Sequence, residues 1–329
     1  MITINFRNTE YLPAKLLYFM VYEYLERRGL GKVEKGKMGD FGNYGNAKLL
    51  GWGFKDAHTY KKYLHTIFRN TDFYPESMIV KKSWVKQNKE LVNKFINNCD
   101  FVVKPDRGQS GNGIRKVRDV EEVVGRIDDN FWILQRVVEP RLYDGRKFDI
   151  RIFHFILRYK DSYYNILTKC GVAKTCVKKY TNSMNGFLTN IMHNNKIDNS
   201  RPHIFNFFDF MKKLEKNEDK RKEIIVSVYD VIRKYSQLLC NKLKENNDCK
   251  SEAQIMLYGP DIILDKDNKV YLLETNCSPG ILIKSEINHL IEKEMLLELM
   301  DNIVMPILGR GDVNLDVYKG KLLFIEKLS

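Results

Sequence analysis

The chain has 329 residues, 43% of them hydrophobic and 12% aromatic, with 55 Lys plus Arg against 42 Asp plus Glu. That apolar content can offset the entropy of ordering and excludes a mainly disordered chain, and the length suits roughly two lobes. The net charge of +13 points to an acidic partner without choosing among nucleic acid, an anionic membrane surface, phosphates or an acidic protein segment; a lysine-rich soluble surface fits the same composition. The apolar stretch 16–22 is bounded by Lys15 and Glu23. It falls far short of the roughly 20 residues a spanning helix needs, and no small-residue cleavage site follows, so neither a membrane span nor a signal peptide is expected.

Pro13 can open a helix and Gly29 can end it, with Leu17, Met20, Val21, Tyr24 and Leu25 as its apolar stripe. Residues 36–53 read as glycine-rich loop and 57–68 as helix, before Phe73-Tyr74-Pro75-Glu76-Ser77 breaks the pattern. Short apolar runs at 101–103, 131–138, 150–157 and 163–167 are strand signals, so the body is expected to be α/β or α+β. Residues 209–223 mix six basic with five acidic side chains, as a solvated helix face or surface insertion would. Ile224, Val228, Val231, Ile232, Tyr235, Leu238 and Leu239 then keep helical spacing over a long amphipathic helix. A second long helix is expected from about residue 286 to 305, stopped by Pro306 and Gly309. Strands over 255–264 and 270–274 lie between the two helices, joined by Asp265-Lys266-Asp267-Asn268.

The six cysteines, Cys99, Cys170, Cys176, Cys240, Cys249 and Cys277, are dispersed without a CxxC pair or a nearby histidine at ligand spacing. They read as reduced, mostly buried thiols of a cytoplasmic protein. His154, inside an apolar run, reads as a satisfied core residue.

Three segments can carry chemistry. Phe101-Val102-Val103-Lys104-Pro105 delivers a lysine at a strand end, and Gly108, Gly111 and Gly113 follow in a loop whose backbone N–H groups can approach phosphate oxygens; a flexible hairpin with an incidental lysine reads equally well. In Arg146-Lys147-Phe148-Asp149-Ile150-Arg151-Ile152, strand alternation puts Lys147, Asp149 and Arg151 on one face and Phe148, Ile150 and Ile152 on the other. The charged face either lines a site or belongs to a solvated edge strand. In the hairpin from Tyr258 to Asn276, Asp261 lies roughly opposite Leu273 and Glu274, and Glu274 and Asn276 share a face. Two carboxylates and an amide oxygen suit Mg²⁺ completed by substrate phosphates, unless Asp261 and Glu274 merely pair with lysines.

Taken in order, these segments resemble the ATP-grasp ligases, specifically the tubulin tyrosine ligase-like family. The resemblance runs from about residue 40 to 308. It rests on K-P-x5-G-x-G-I at 104–114, I-L-Q-R-V-V at 133–138, R-K-F-D-I-R at 146–151, L-T-N at 188–190 and L-E-T-N-C-S-P at 273–279. Phe73-Tyr74-Pro75-Glu76-Ser77 and Lys55-Asp56 are similar to two further family elements upstream.

The resemblance implies an ATP-grasp fold of the α/β (α+β) class with nucleotide held between lobes. The lobes are expected at 1–98, 99–160 and 161–310, with a tail at 311–329. It implies that Lys55 and Lys104 hold ATP phosphates beneath a loop containing Ser110 and Gly111, and that Gln135, Arg136, Val137 and Val138 form the adenine hinge. Lys147 and Asp149 would face nucleotide and substrate, Thr189 and Asn190 would reach the phosphates, and Asp261, Glu274 and Asn276 would bind Mg²⁺. Arg151 is the candidate for stabilising a developing oxyanion, and Lys174 stands where family members carry an arginine for the amino acid's carboxylate, keeping charge but losing the two-pronged fork. Phe187 replaces the usual histidine before L-T-N, and Pro260 interrupts the segment before Asp261.

The expected activity is therefore ATP- and Mg²⁺-dependent addition of an amino acid (tyrosine, glutamate or glycine) to a protein, with tubulin's acidic tail the leading acceptor. The partners would be tubulin or another acidic-tailed protein and a free amino acid, met by a cytoplasmic, monomeric enzyme. A non-tubulin acceptor and a catalytically silent tubulin or polyanion binder are the alternatives. No recognised nucleic-acid module accompanies the charge.

Overall fold

In the computed structural model, the described residues are 61–97, 99–108, 111–181, 183–190, 204–245, 253–277, 294–308 and 319–328, single residues at 194, 197, 279 and 315, and the backbone of three strands before residue 53. Those strands are β1 (Ile2–Arg7), β2 (Gly31–Gly36) and β3 (Leu50–Trp52). The expected helix over 13–29 lies outside the described residues. Strand β3 corrects the reading of 36–53 as loop throughout, because Leu50–Trp52 gains a parallel partner at Ala253–Ile255 that local composition cannot reveal.

Helix α1 (Lys61–Phe68) leads into β4 (Ser77–Val80), α2 (Lys82–Gln87) and α3 (Lys89–Ile96). Then come β5 (Phe101–Pro105), β6 (Arg115–Val117), α4 (Val120–Arg126) and β7 (Trp132–Arg136). Asp119 caps α4 by accepting the Glu122 N–H at 2.8 Å. Strands β4, β7, β5 and β6 form a four-stranded antiparallel sheet. Phe101, Val103 and Leu134 pack with Val85, Val92, Ile96 and Val123 of its helices, so alternation turns Val102, Lys104 and Gln135 the other way.

The chain continues through β8 (Leu142–Tyr143), β9 (Arg146–Tyr159), β10 (Ser162–Thr175) and β11 (Ile204–Asn206) to α5 (Phe207–Leu214) and α6 (Glu218–Glu245). It closes with β12 (Ala253–Leu264), β13 (Val270–Cys277) and β14 (Leu323–Leu328). The larger sheet runs β11-β10-β9-β12-β13, with β14 on β10, β3 on β12 and β8 on β9. Two-residue turns set its registers: Asp144 and Gly145, both at positive φ, join β8 to β9, and Lys160-Asp161 joins β9 to β10.

The central strand β9 has two chemically distinct faces. Phe148, Ile150, Ile152 and Ile156 enter one apolar core with Phe207 and Phe210 of α5 and Val228, Ile232 and Tyr235 of α6. Phe153, Phe155 and Leu157 point the other way into a second core with Met295, Leu299, Ile303 and Leu323. On that second side, the same face carries Lys147, Asp149 and Arg151 at its start. The solvated-edge reading therefore fails: β9 is flanked by β10 and β12, and Lys147 and Asp149 are only 4% and 7% exposed.

The charged stretch 209–223 is more than surface, since Phe210 and Met211 are fully buried. Nor does Pro306 stop the last helical run. Residues 294–308 are helical, with a π-turn at Met300–Val304 whose wider spacing tolerates a ring that cannot donate to the preceding turn. Pro260 likewise stays within β12. Its register with β9 pairs Leu257 with Phe155 and resumes at Asp261 with Arg151, so the missing N–H falls between paired positions. Among the described residues, no helix is long and apolar enough to cross a membrane.

His154 is a core residue, its Nδ1 2.8 Å from Asn165 Oδ1 and its Nε2 against the Tyr235 hydroxyl. Burial holds its pKa down at about 4. The described cysteines Cys99, Cys170, Cys176 and Cys240 stand outside any disulfide, and burial pushes Cys176 and Cys240 up to about 12.

Candidate functional site

One cavity lies between the two sheets. From the smaller sheet it is lined by Val102, Lys104 and Gln135, and by Arg136, Val137 and Val138 where β7 runs out. Gly111 and Ile114 of the glycine loop close one side, and Phe187, Leu188, Thr189 and Asn190 another. The larger sheet contributes Lys147, Asp149, Lys174, Asp261, Ile263, Leu273 and Glu274. Segments distant in sequence thus converge on one space, as the motif order requires. Lys55 and Ser110 lie outside the described residues.

The charged wall is a row built by strand register. Lys174 of β10 is the cross-strand partner of Asp149 on β9, Arg151 of β9 is the partner of Asp261 on β12, and Asp261 is the partner of Glu274 on β13. Partners across an antiparallel pair point to the same face, so four strands present one row of charges that alternates up to Asp261 and ends in two adjacent carboxylates. A bulge completes it: Asp261 pairs with Glu274 but Ile262 with Leu272, leaving Leu273 as the extra residue. This resolves the position opposite Asp261 in favour of Glu274.

Within the row, Asp261 is the most heavily engaged group. Arg151 donates through Nε at 2.9 Å and Nη2 at 2.6 Å, and Lys174 Nζ donates at 2.7 Å. Asn276 Nδ2 lies 3.4 Å away. Burial alone would push the Asp261 carboxyl up, but the two cations outweigh it and hold the group well below the usual carboxylate range. Burial, with Arg151 nearby, lowers the pKa of Lys174. Gly259 makes room for this arrangement, since a Cβ there would stand 3.1 Å from Arg151 Cδ and 2.8 Å from the Pro279 ring.

Asp149 is engaged at both oxygens. It accepts from Lys147 Nζ at 2.5 Å and from the Thr189 hydroxyl, which ties the 187–190 segment to the sheet. Lys104 Nζ donates to Gln135 Oε1 at 2.6 Å, and burial lowers its pKa to about 8. Gly111 and Gly113 have φ of 75° and 80°, a conformation glycine adopts without strain.

Phe187 lies under two lysines, Lys116 Nζ at 4.6 Å and Lys147 Nζ at 5.4 Å from its ring centroid. Lys61 was not legible as a site residue. Its Nζ donates to Gly108 O at 2.8 Å and lies 3.8 Å from Glu274, so it joins the glycine loop to the acidic end of the row. No motif marks it, because only the packing of α1 brings it there. The same holds for the apolar lining, Val102, Ile114, Ile263 and Leu273, which suits a flat aromatic ring.

The metal-ligand candidates fit a hard divalent cation by donor chemistry. Asp261, Glu274 and Asn276 offer only oxygen acceptors, and among the described residues no cluster of three or more His, Cys, Asp or Glu competes with them. Asp261 and Glu274 face the cavity, where substrate phosphates could complete the coordination.

The model of the tubulin-tyrosine ligase family matches residues 45–312. Over 235 residues the chain is 25% identical to a probable alpha-tubulin polyglutamylase Ttll1 of Tetrahymena thermophila, covering 63% of this chain and 53% of that protein. It is 24% identical to tubulin glycylase 3F of the same organism, covering 64% of this chain and 25% of the glycylase. With a probable tubulin polyglutamylase ttll-9 of Caenorhabditis elegans it shares 25% identity, over 70% of this chain and 58% of the other. The chain thus spans about half, or less, of the length of these relatives. The match from residue 45 to 312 takes in the smaller sheet, the larger sheet apart from β14, and every wall of the cavity, and on that ground the chain belongs to the tubulin-tyrosine ligase family.

Proposed function

We propose that the chain is an ATP- and Mg²⁺-dependent carboxylate–amine ligase that joins a free amino acid to a protein carboxylate, with the acidic tail of tubulin as the leading acceptor. The observation that carries this reading is the charged row, whose Lys174, Asp149, Asp261 and Glu274 line one cavity with Lys104 and Gly111 of the glycine loop while Arg151 holds Asp261 from beside it. The names of the relatives, which include both polyglutamylases and a glycylase, support tubulin as acceptor and leave glutamate and glycine as leading amino acids.

A carboxylate resists attack by an amine until one oxygen becomes a leaving group. Transfer of the γ-phosphoryl group of ATP to the acceptor carboxylate breaks the bond to ADP and gives an acylphosphate; the amine then attacks the carbonyl carbon, phosphate departs, and the nitrogen loses a proton. Such chemistry needs positioning and charge neutralisation more than an enzyme nucleophile. Lys104, Lys147 and the amides of the glycine loop neutralise phosphate oxygens, while the backbone after Gln135 and the apolar lining hold the base. Asp149 orients Lys147 and anchors Thr189. Arg151 serves the oxyanion of amide formation and Lys174 the carboxylate of the incoming amino acid. Asp261, Glu274 and Asn276 would hold Mg²⁺, which supplies charge neutralisation at the phosphates.

A basic approach supports an acidic acceptor: residues 55–94 carry nine Lys or Arg against four Asp or Glu. Incubation with tubulin, Mg-ATP and each of glutamate, glycine and tyrosine, followed by intact-protein mass spectrometry, tests the proposal. A mass gain of one residue or more with one amino acid is expected. ATP binding without any gain refutes the tubulin assignment.

A further inference from the structure

Asp261 is bound from two sides by the very cations that the proposed function assigns to substrate. Arg151 occupies both carboxylate oxygens, Lys174 adds a third donor, and Asn276 approaches a fourth position. A carboxylate offers about four acceptor sites, so the shell around Asp261 is filled by the protein itself. Conversely, the carboxylate of Asp261 fills the space at Lys174 Nζ where another carboxylate would have to sit. The pair is shielded from water, since Lys174 is 6% exposed and Asp261 7%.

Resting on the ligase reading above, we infer that Asp261 is an internal stand-in for the substrate carboxylate, so that metal with nucleotide must claim Asp261 before Lys174 and Arg151 can receive the amino acid. A bare divalent cation entering the site would meet two buried positive charges sharing its main ligand, and Glu274 alone cannot offset all of them. The nucleotide's phosphates bring the missing negative charge. Once Asp261 turns to the metal, Lys174 loses its partner while still buried, and an unpaired buried ammonium favours an incoming carboxylate. Substrate binding is thereby ordered by charge balance: metal–nucleotide first, amino acid second.

Two measurements test the inference. The first titrates Mn²⁺ alone into the protein and into Lys174→Gln, reading free Mn²⁺ by electron paramagnetic resonance. Removing the competing cation is expected to tighten Mn²⁺ binding by about tenfold or more; equal or weaker binding overturns the inference. Thermal unfolding checks that the variant is folded, with Lys174→Met as the second variant. The second measurement follows glutamate, glycine and tyrosine by saturation-transfer NMR on the unaltered protein, with and without Mg²⁺ and a non-hydrolysable ATP analogue. Amino-acid binding is expected only with both present, and equal binding without them overturns the order. Failure of the analogue to bind counts against the ligase reading itself, whereas the Mn²⁺ comparison still decides the role of Lys174.

Discussion

Arg151 and Asp261 are cross-strand partners on β9 and β12, and their side chains close a two-point ion pair, Nε at 2.9 Å and Nη2 at 2.6 Å, inside the cleft. Residues 110 positions apart are thus held as one unit, and Lys174 depends on the same carboxylate. Asp261→Asn removes the carboxylate that, among the described residues, directly contacts both buried cations. A stability loss of about 3–5 kcal/mol is expected. Urea unfolding of the variant reads it directly, and a loss below about 1 kcal/mol would show that the triad is not a buried ion cluster.

Glu274 lies at the half-buried end of the row, 3.8 Å from Lys61. Its removal should therefore spare the fold and damage the chemistry. Glu274→Gln is expected to lower ligation by on the order of a hundredfold with an unfolding midpoint close to that of the parent protein. Parallel mass spectrometry and thermal melts separate the two effects.

Lys104, with its pKa lowered to about 8 by burial, gives nucleotide binding a pH signature. A phosphate beside it favours the charged form, so binding above pH 8 must take up a proton, whereas below pH 8 the proton is already present. Affinity is expected to be flat below about pH 8 and to fall by up to about tenfold per pH unit above it. Lys104→Arg stays charged and should abolish the slope. Fluorescence titration with an ATP analogue between pH 7 and 9.5 checks both.

His154 acts on stability with the opposite sense of pH. Its folded pKa of about 4 lies below the ordinary 6.5, so between these values the unfolded chain binds more protons than the folded one. Stability is then fully present above pH 6.5 and declines as the pH falls toward 4. About 2 kcal/mol should be lost between pH 7 and 5 from this residue alone. Denaturant midpoints at the two pH values measure the sum, and His65, also lowered to about 4, adds in the same direction.

Two glycines make a matched pair of stability tests. At Gly171, beside the register shift of β10, a Cβ would stand 2.5 Å from Ile152 Cδ1 and 2.7 Å from Arg151 O. Gly171→Ala should cost about 1–3 kcal/mol. At Gly125, within α4, a Cβ meets nothing within 4 Å. Gly125→Ala should raise stability by up to about 1 kcal/mol. Thermal melts of both variants make the comparison.

What was legible in the sequence had a local cause. The alternation in Arg146-Lys147-Phe148-Asp149-Ile150-Arg151-Ile152 reflects one strand with unlike faces, and the stripe from Ile224 to Leu239 reflects one helix on one core. Asp265 could be read as a turn residue because its carboxylate accepts the N–H groups of Asp267 and Lys269. The rest depends on partners far along the chain. Lys174 and Asp261 are 87 residues apart, so no spacing could announce their contact. The strands β9 and β10 extend beyond their apolar runs because polar residues such as Arg158, Thr168 and Lys174 find partners inside the sheet. Asp144-Gly145 is a local turn signal, and both residues take positive φ.

The bulge at Leu273 has a genetic consequence. In an uninterrupted strand, Leu272 and Glu274 would share a face, and Leu272 faces the apolar core. The extra residue reverses the parity, so that Glu274 meets Asp261 instead of being driven into that core. Loss of a single codon at position 273 would leave every charged residue of the site in the chain and a strand still able to pair. It would set Glu274 directly after Leu272, where plain alternation already turns it to the Asp261 face, so the deletion is expected to remove the bulge and keep the acidic end of the site.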